Sequence, residues 1–206
     1  MVMEKFVFEG KTEEEALENA KSELMVNSDE IFYNILSEEK GGLFKSKRIA
    51  IEVTKKSSIV DFIKEYIKEI TKLMGVPVNL ETRERDGILN ITLYSENNNV
   101  LIGKNGKNMN ALSTVIRQAI YSELGRYYNF NLDIGEYKVK QQRYLESFAK
   151  QIAKDVYKSK VEVKLDPMNS YERRIIHNIL NDDKRVYTES VGEEPNRCII
   201  VKPKEE

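Results

Sequence analysis

The most informative stretch of the chain is Ile102-Gly-Lys-Asn-Gly-Lys107, in which a Gly-x-x-Gly turn lies directly before a helical pattern that starts near Asn108. Because glycine lacks a Cβ atom, the backbone can turn tightly there and approach a ligand closely. Phosphates can then bind backbone N–H groups at the start of the helix, where the dipole favours anions. Lys104 and Lys107 would add positive charge. An ordinary Asn-Gly hairpin turn is the alternative, but the helical pattern that follows argues against it.

Helix and strand patterns on both sides of this turn predict a domain over residues 57–136. An apolar stripe at helical spacing runs from Ile59 to Met74, and a hairpin with an Asp86-Gly87 turn follows it. A second helical pattern and a short strand complete the order α-β-β-α-α-β. A Gly-x-x-Gly turn between adjacent helices of this order is the placement expected of the KH module, whose loop holds about four nucleotides. The candidate nucleic-acid-binding residues here are Gly103, Lys104, Asn105, Gly106, Lys107 and, for phosphate, Arg117.

Two further segments that mix helices and strands flank this domain. Residues 1–56 have the predicted order β-α-β-β. Residues 137–206 have the order α-β-α-β-β, and Asp166-Pro167 is predicted to start the second helix of that segment. The sequence therefore predicts an α/β (α+β) protein of three small domains, 1–56, 57–136 and 137–206, with the polar stretch 54–58 at the first boundary.

A second candidate site lies on the predicted helix that contains Tyr171-Glu-Arg-Arg-Ile-Ile-His177. Arg173 and His177 are four residues apart and Arg174 and His177 are three apart, so each pair shares a helix face. An arginine offers a forked donor for phosphate, and a histidine adds a donor that gains charge as the pH falls. The alternative is a solvated helix face with a partly buried histidine.

The charge balance is close to zero overall but uneven along the chain. There are 33 Lys and Arg residues against 34 Asp and Glu residues, which gives a net charge of −1. Residues 1–56 carry −3, residues 57–136 carry −1 and residues 137–206 carry +3. The basic excess falls where the Arg/His helix lies, so near-neutrality does not exclude a nucleic-acid partner.

The composition argues against several other classes of protein. A single cysteine, Cys198, excludes an intramolecular disulfide framework and is predicted to be a small buried hydrophobe. A single histidine makes a metal site unexpected, and no nucleotide-binding or nucleophile motif appears, so we expect no cofactor and no enzymatic activity. Neither a run of about 20 apolar residues nor a secretory signal is present. These features predict a soluble cytoplasmic protein.

Two segments carry a specific family resemblance. One is Lys164-Leu-Asp-Pro-Met-Asn-Ser-Tyr-Glu-Arg-Arg-Ile-Ile-His177, and the other runs from Val186 to Arg197 as Val-Tyr-Thr-Glu-Ser-Val-Gly-Glu-Glu-Pro-Asn-Arg. Both closely resemble the C-terminal half of the bacterial Jag family, also called KhpB or EloR. The resemblance covers the whole length, and it is loosest near Lys40-Gly-Gly-Leu-Phe-Lys45.

The resemblance implies both a fold and a function. It implies a Jag N-terminal domain, a KH domain of the prokaryotic type, and a last domain named for its Arg-x-x-x-His motif that binds single-stranded nucleic acid. The motif falls on Arg173 and His177. The family implies a cytoplasmic, non-enzymatic regulator that binds single-stranded RNA, with DNA left open, and that acts in cell elongation and cell-wall synthesis. It also implies a small KH-only partner protein, and a homodimer is the other option.

A second hypothesis treats the protein mainly as an adaptor that binds other proteins through its acidic N-terminal domain. Leu43 and Phe44, in a turn rich in glycine and lysine, would be its docking point. The alternative is a hairpin tip tucked against the helix of that domain.

Overall fold

The computed structural model describes residues 2–39 and 47–204. The chain divides into two compact units, one formed by the residues up to 89 with 110–131, and the other by 90–109 with the residues from 132 onward. The order of helices and strands is the predicted one, β-α-β-β, then α-β-β-α-α-β, then α-β-α-β-β. The prediction of a mixed α/β fold is therefore confirmed.

The N-terminal segment is a three-stranded antiparallel sheet covered by one helix. Its elements are β1 (Phe6–Gly10), α1 (Glu13–Leu24), β2 (Ile31–Glu39) and β3 (Arg48–Lys55), and the sheet order is β1-β3-β2. Thr12 caps α1, since its Oγ1 accepts a hydrogen bond from the Glu15 N–H at 3.2 Å. The buried face of the sheet packs on two alanines of α1, Ala16 and Ala20, which allow a close approach.

The middle segment repeats the α-β-β-α-α-β order of the prediction. Its elements are α2 (Lys56–Leu73), β4 (Asn79–Arg85), β5 (Ile88–Tyr94), α3 (Asn98–Ile102), α4 (Lys107–Leu124) and β6 (Phe130–Ile134), with the sheet order β4-β5-β6. The polar stretch 54–58 is not an irregular linker. Strand β3 ends at Lys55, α2 begins at Lys56, and Thr54 is buried.

The first unit also joins the N-terminal segment to the end of α4. Asn34 of β2 donates from Nδ2 to the Leu124 carbonyl at 3.0 Å, and Arg126 donates to the Tyr33 carbonyl at 2.6 Å. The rings of Phe32 and Tyr128 meet edge to face, with centroids 5.8 Å apart. Strand β2 is therefore held by side-chain contacts to the residues that follow α4.

The C-terminal segment packs two helices on a third sheet, which is antiparallel. Its elements are α5 (Tyr137–Ser159), β7 (Val163–Lys164), α6 (Ser170–Asn181), β8 (Val186–Val191) and β9 (Cys198–Pro203), with the sheet order β7-β9-β8. Ala149 and Ala153 of α5 pack with Ile176 and Leu180 of α6 in its core. Cys198 is buried, as predicted.

The start of α6 corrects the prediction from Asp166-Pro167. The helix begins three residues after Pro167, at Ser170, and its N-cap is Asn169. Asn169 Oδ1 accepts the Glu172 N–H at 3.0 Å, and Glu172 Oε2 accepts the Asn169 N–H at 3.1 Å. This reciprocal capping box satisfies two donors at once, which an aspartate followed by proline does not.

Candidate nucleic-acid interface

Gly103 ends α3 and opens the loop in a conformation that only glycine adopts readily. Its φ is 69° and its ψ is 178°, and its N–H donates to the Asn99 carbonyl at 2.9 Å. A methyl group placed on Gly103 would lie 2.6 Å from Asn108 Cγ. Asn108 is fixed in turn, because its Nδ2 donates to the Val100 carbonyl at 2.8 Å. The first glycine is therefore required both by backbone angle and by space.

The rest of the loop turns its polar side chains outward. Lys104 to Gly106 form one tight helical turn, in which Asn105 has a left-handed conformation with φ 54° and ψ 35°. Lys104, Asn105 and Lys107 are exposed, whereas Gly106 is buried. Because α4 begins at Lys107, the positive end of an 18-residue helix lies at the loop. The loop therefore combines two cations with a helix N-terminus, an arrangement suited to anions.

Arg117 is held by the protein at β6. Its Nη2 donates to the Phe130 carbonyl at 2.7 Å, and its guanidinium carbon lies 4.5 Å from the centre of the Phe130 ring. The side chain is half-buried. These contacts occupy part of the guanidinium, and the phosphate role of Arg117 stays a prediction.

The two arginines of α6 have different surroundings. Arg173 donates from Nη1 to the Met168 carbonyl and from Nη2 to Glu194 Oε1, both at 2.6 Å, and its side chain is 11% exposed. Arg174 is exposed. The fork of Arg173 is therefore occupied by the segments on either side of α6, while Arg174 faces outward.

His177 and both arginines line one surface pocket between α6 and β8. His177 is exposed, and its Nδ1 is 2.7 Å from Thr188 Oγ1, which fixes the ring against the strand. The pocket has a volume of about 230 Å³, and its lining residues are Arg173, Arg174, His177, Thr188, Glu189, Ser190 and Ile199. The structure thus brings together the three residues that the predicted Arg/His helix face contains.

Two predicted residues cannot be compared with the structure, and three residues that contact the predicted sites were not predicted. Leu43 and Phe44 lie outside the described residues, so the docking hypothesis stays a prediction. Tyr137, Thr188 and Glu194 contact the predicted loop or helix, but no sequence motif predicted these contacts. Tyr137 and Glu194 are each more than twenty residues along the chain from the residue they contact, which is Gly106 or Arg173. No short sequence motif can indicate such a contact.

The part of the chain that the structure describes contains neither a membrane span nor a metal cluster. Within residues 2–39 and 47–204, no helix combines the length and apolar character that crossing a membrane would need. Within the same ranges, no three His, Cys, Asp or Glu side chains are grouped so that they could hold a metal ion.

Matches to known families divide the chain into a Jag-type N-terminus, a KH domain and a last domain of the Arg-x-x-x-His type. Residues 8–55 match the family described as Jag N-terminus, and residues 60–132 match the KhpA/KhpB KH domain. Residues 143–203 match the family of the Arg-x-x-x-His domain. The chain is 34% identical to RNA-binding protein KhpB of Clostridium symbiosum over 200 residues, which are 95% of this chain and 90% of the relative. The chain therefore belongs to the KhpB family, as the sequence resemblance to the Jag family predicted.

Other relatives carry the same name. RNA-binding protein KhpB of Bacillus subtilis (strain 168) is 28% identical over 200 residues, which are 95% of this chain and 96% of the relative. The protein of that name from Lactiplantibacillus plantarum is 28% identical over 137 residues, which are 66% of this chain and 42% of the relative.

Proposed function

We propose that this protein binds single-stranded RNA through the Gly103–Gly106 loop and through α6. The observation that carries the proposal is the loop itself, where Lys104 and Asn105 stand at the surface between two glycines at the positive end of α4. The relatives named RNA-binding protein KhpB support RNA as the ligand.

In this proposal the loop binds the sugar-phosphate backbone and leaves the bases free to be read. Gly103 and Gly106 permit the tight turn that places Lys104 and Asn105 at the surface, so a backbone phosphate can approach this side of the loop at the start of α4. Lys104 and Lys107 supply charge attraction. This arrangement suits a KH loop, which clamps about four nucleotides and leaves base recognition to the adjoining groove.

On α6 the same chemistry is divided among three side chains. Arg174 and His177 are exposed and would contact phosphates directly. Arg173 would act indirectly. Its hydrogen bonds to Met168 and Glu194 hold the start of α6 against the neighbouring segments. The Thr188 hydroxyl orients the imidazole of His177.

The family also supports a proposal about the domains, the compartment, the partners and the cellular role of the protein. We infer three domains, 1–56, 57–136 and 137–206, that act as a non-enzymatic regulator in the cytoplasm without metal or cofactor. The middle domain would pair with a small KH-only protein or with a second copy of the chain. A role in cell elongation and cell-wall synthesis is part of the same inference, and single-stranded DNA is the alternative ligand.

The experiment replaces both loop residues, Lys104→Asp with Asn105→Asp, and measures binding to a fluorescent single-stranded RNA. The change makes the loop more negative by three charges beside the phosphates, so we expect the affinity to fall by roughly tenfold or more at low salt. The matched control is Lys68→Asp with Asn79→Asp, which makes the same charge change at two exposed positions outside the loop, one on α2 and one at the start of β4.

The control separates contact from overall charge. If both double variants lose the same affinity, the loop has no special role and only net charge matters. If the loop variant binds as tightly as the native chain, the assignment of the loop is wrong. Thermal unfolding of both variants confirms that any loss of affinity does not come from loss of fold.

A further inference from the structure

The ring of Tyr137, the first residue of α5, lies beside the loop. A methyl group placed on Gly106 would lie 3.2 Å from Tyr137 Cε1 and 3.5 Å from its hydroxyl oxygen. Gly106 is buried, while Lys104 and Asn105 reach the surface. One side of the loop therefore rests against α5, and the other side presents the polar side chains.

The same turn of α5 also contacts the start of α6. Gln141, one helical turn after Tyr137, donates from Nε2 to Glu172 Oε1 at 3.0 Å. Burial first, and then the negative charge of Glu172, raise the pKa of Tyr137 above its ordinary value. Tyr137 and Gln141 therefore connect the loop with the glutamate of the α6 capping box.

Glu172, which accepts the hydrogen bond from Gln141, is itself held in place by burial and by a second hydrogen bond. Its side chain is 3% exposed, and its second oxygen accepts the Asn169 N–H at 3.1 Å. Buried polar atoms need hydrogen-bond partners, so the removal of the Gln141 side chain would leave Glu172 Oε1 short of a donor. Arg173 and Arg174 follow Glu172 directly on the helix.

We propose that Tyr137 and Gln141 are positioning residues that hold the Gly103–Gly106 loop and α6 in one arrangement, so that one strand of RNA longer than the loop's own footprint binds both. This inference rests on the proposed function and adds the size of the ligand to it. Two sites at a fixed spacing turn the second contact into an intramolecular step, which raises affinity without any new contact. A loose connection would lose much of that gain.

The test compares two lengths of RNA by fluorescence anisotropy on the full chain. The probes are single-stranded RNAs of randomised sequence, about 5 and about 12 nucleotides long, the shorter being close to the footprint of a KH loop. The length gain is the ratio of the two affinities. A longer strand offers more registers to every variant alike, so that factor cancels when variants are compared.

Tyr137→Ala removes the contact with the loop. We expect it to bind the short probe within about twofold of the native chain and to lose about tenfold of the length gain. Tyr137→Phe keeps the ring beside Gly106 and should keep the gain. Tyr157→Ala, a tyrosine near the opposite end of α5, is the matched control and should also keep it.

Gln141→Ala breaks the connection at its other end and leaves the loop untouched. We expect a smaller loss of length gain, about threefold, because one hydrogen bond to a charged group is removed. Gln151→Ala is its matched control, since Gln151 donates to the Asp155 carboxylate on the same helix at 3.0 Å. That variant should keep the full gain.

Three results would overturn the inference. In the first, the length gain of the native chain is no larger than that of Tyr137→Ala. In the second, Tyr137→Ala and Gln141→Ala keep the full length gain. In the third, these two variants lose the same affinity for the short probe as for the long probe. If Tyr137→Ala does not fold, as judged by circular dichroism, Gln141→Ala decides alone. A native chain that binds neither probe contradicts the proposed function as well, whereas binding without a length gain contradicts this inference only.

Discussion

The Gly-x-x-Gly loop and helix α6 are both candidate phosphate sites, but they are built in opposite ways. The loop takes its shape from the backbone, with positive φ at Gly103, Asn105 and Gly106. Helix α6 takes its position from side chains, through the capping box of Asn169 and the bonds of Arg173. A backbone-shaped site can expose its charged residues freely, while a side-chain-shaped site must commit some of its charged residues to structure.

The largest effect is expected for Gly103→Ala, which tests how far the loop depends on backbone shape. The new methyl group would meet Asn108 Cγ at 2.6 Å in a conformation that non-glycine residues avoid. We expect the free energy of unfolding to fall by about 3 kcal/mol, since strain and a steric clash add. Chemical denaturation measures this change.

Gly87→Ala provides the matched control for the loop. Gly87 has a φ of 71°, and a methyl group there would meet nothing within 4 Å. Only the backbone strain remains, so about 1 kcal/mol is expected. Equal losses in the two variants would mean that Asn108 moves aside and that the loop is less constrained than its geometry indicates.

The next effect is expected for Arg173→Ala, which tests whether this arginine is committed to structure. The change leaves the Met168 carbonyl without its donor and frees Glu194. We expect stability to fall by about 2 kcal/mol, the usual loss for charge-assisted hydrogen bonds of a largely buried group. Arg174→Ala, one residue further along, should stay within about 0.5 kcal/mol of the native chain.

A smaller effect is expected in RNA binding for Arg174→Ala. Removing one phosphate contact should weaken binding about threefold to tenfold and reduce the slope of log affinity against log salt by about 0.7, the value for one charge on a single strand. Titrations at several salt concentrations measure the slope. An unchanged slope would show that Arg174 does not contact phosphate. Arg174→Lys keeps the positive charge, so its slope should be close to that of the native chain.

The smallest effect concerns pH at the far end of α6. Hydrogen bonds from Arg185 hold the pKa of Asp183 below its ordinary value. A carboxyl group with a lowered pKa stabilises the fold above its unfolded pKa, near 4, and loses that contribution as the pH falls through the folded value. Asp183→Asn should therefore cost less than about 1 kcal/mol at pH 7 and a smaller amount near pH 2, as urea denaturation at both pH values would show.

The order of elements could be predicted from the sequence because each element carries a local signal. The apolar stripe of α2, the Asp86-Gly87 turn and the glycines of the loop are all short-range signals. The start of α6 was predicted three residues early, since Asp166-Pro167 and Asn169 with Glu172 are both good starting signals. Packing selected the second of the two.

The environment of single charged residues could not be predicted in the same way. Arg117 and Arg173 look like their exposed neighbours in the sequence, yet each is held by a carbonyl group and a second partner in the fold. Glu194 is 21 residues from Arg173, and Phe130 is 13 residues from Arg117. Such contacts depend on where loops and strands finally lie, and helical spacing carries no information about that.

The direct passage from β3 into α2 joins a strand and a helix with no residue between them. Lys55 is the last residue of the strand and Lys56 the first residue of the helix, and the buried Thr54 precedes them. A different N-terminal segment grafted at this point must bring its own final strand with a matching exit direction. An insertion between Lys55 and Lys56 would therefore separate a strand and a helix that follow each other directly in this chain.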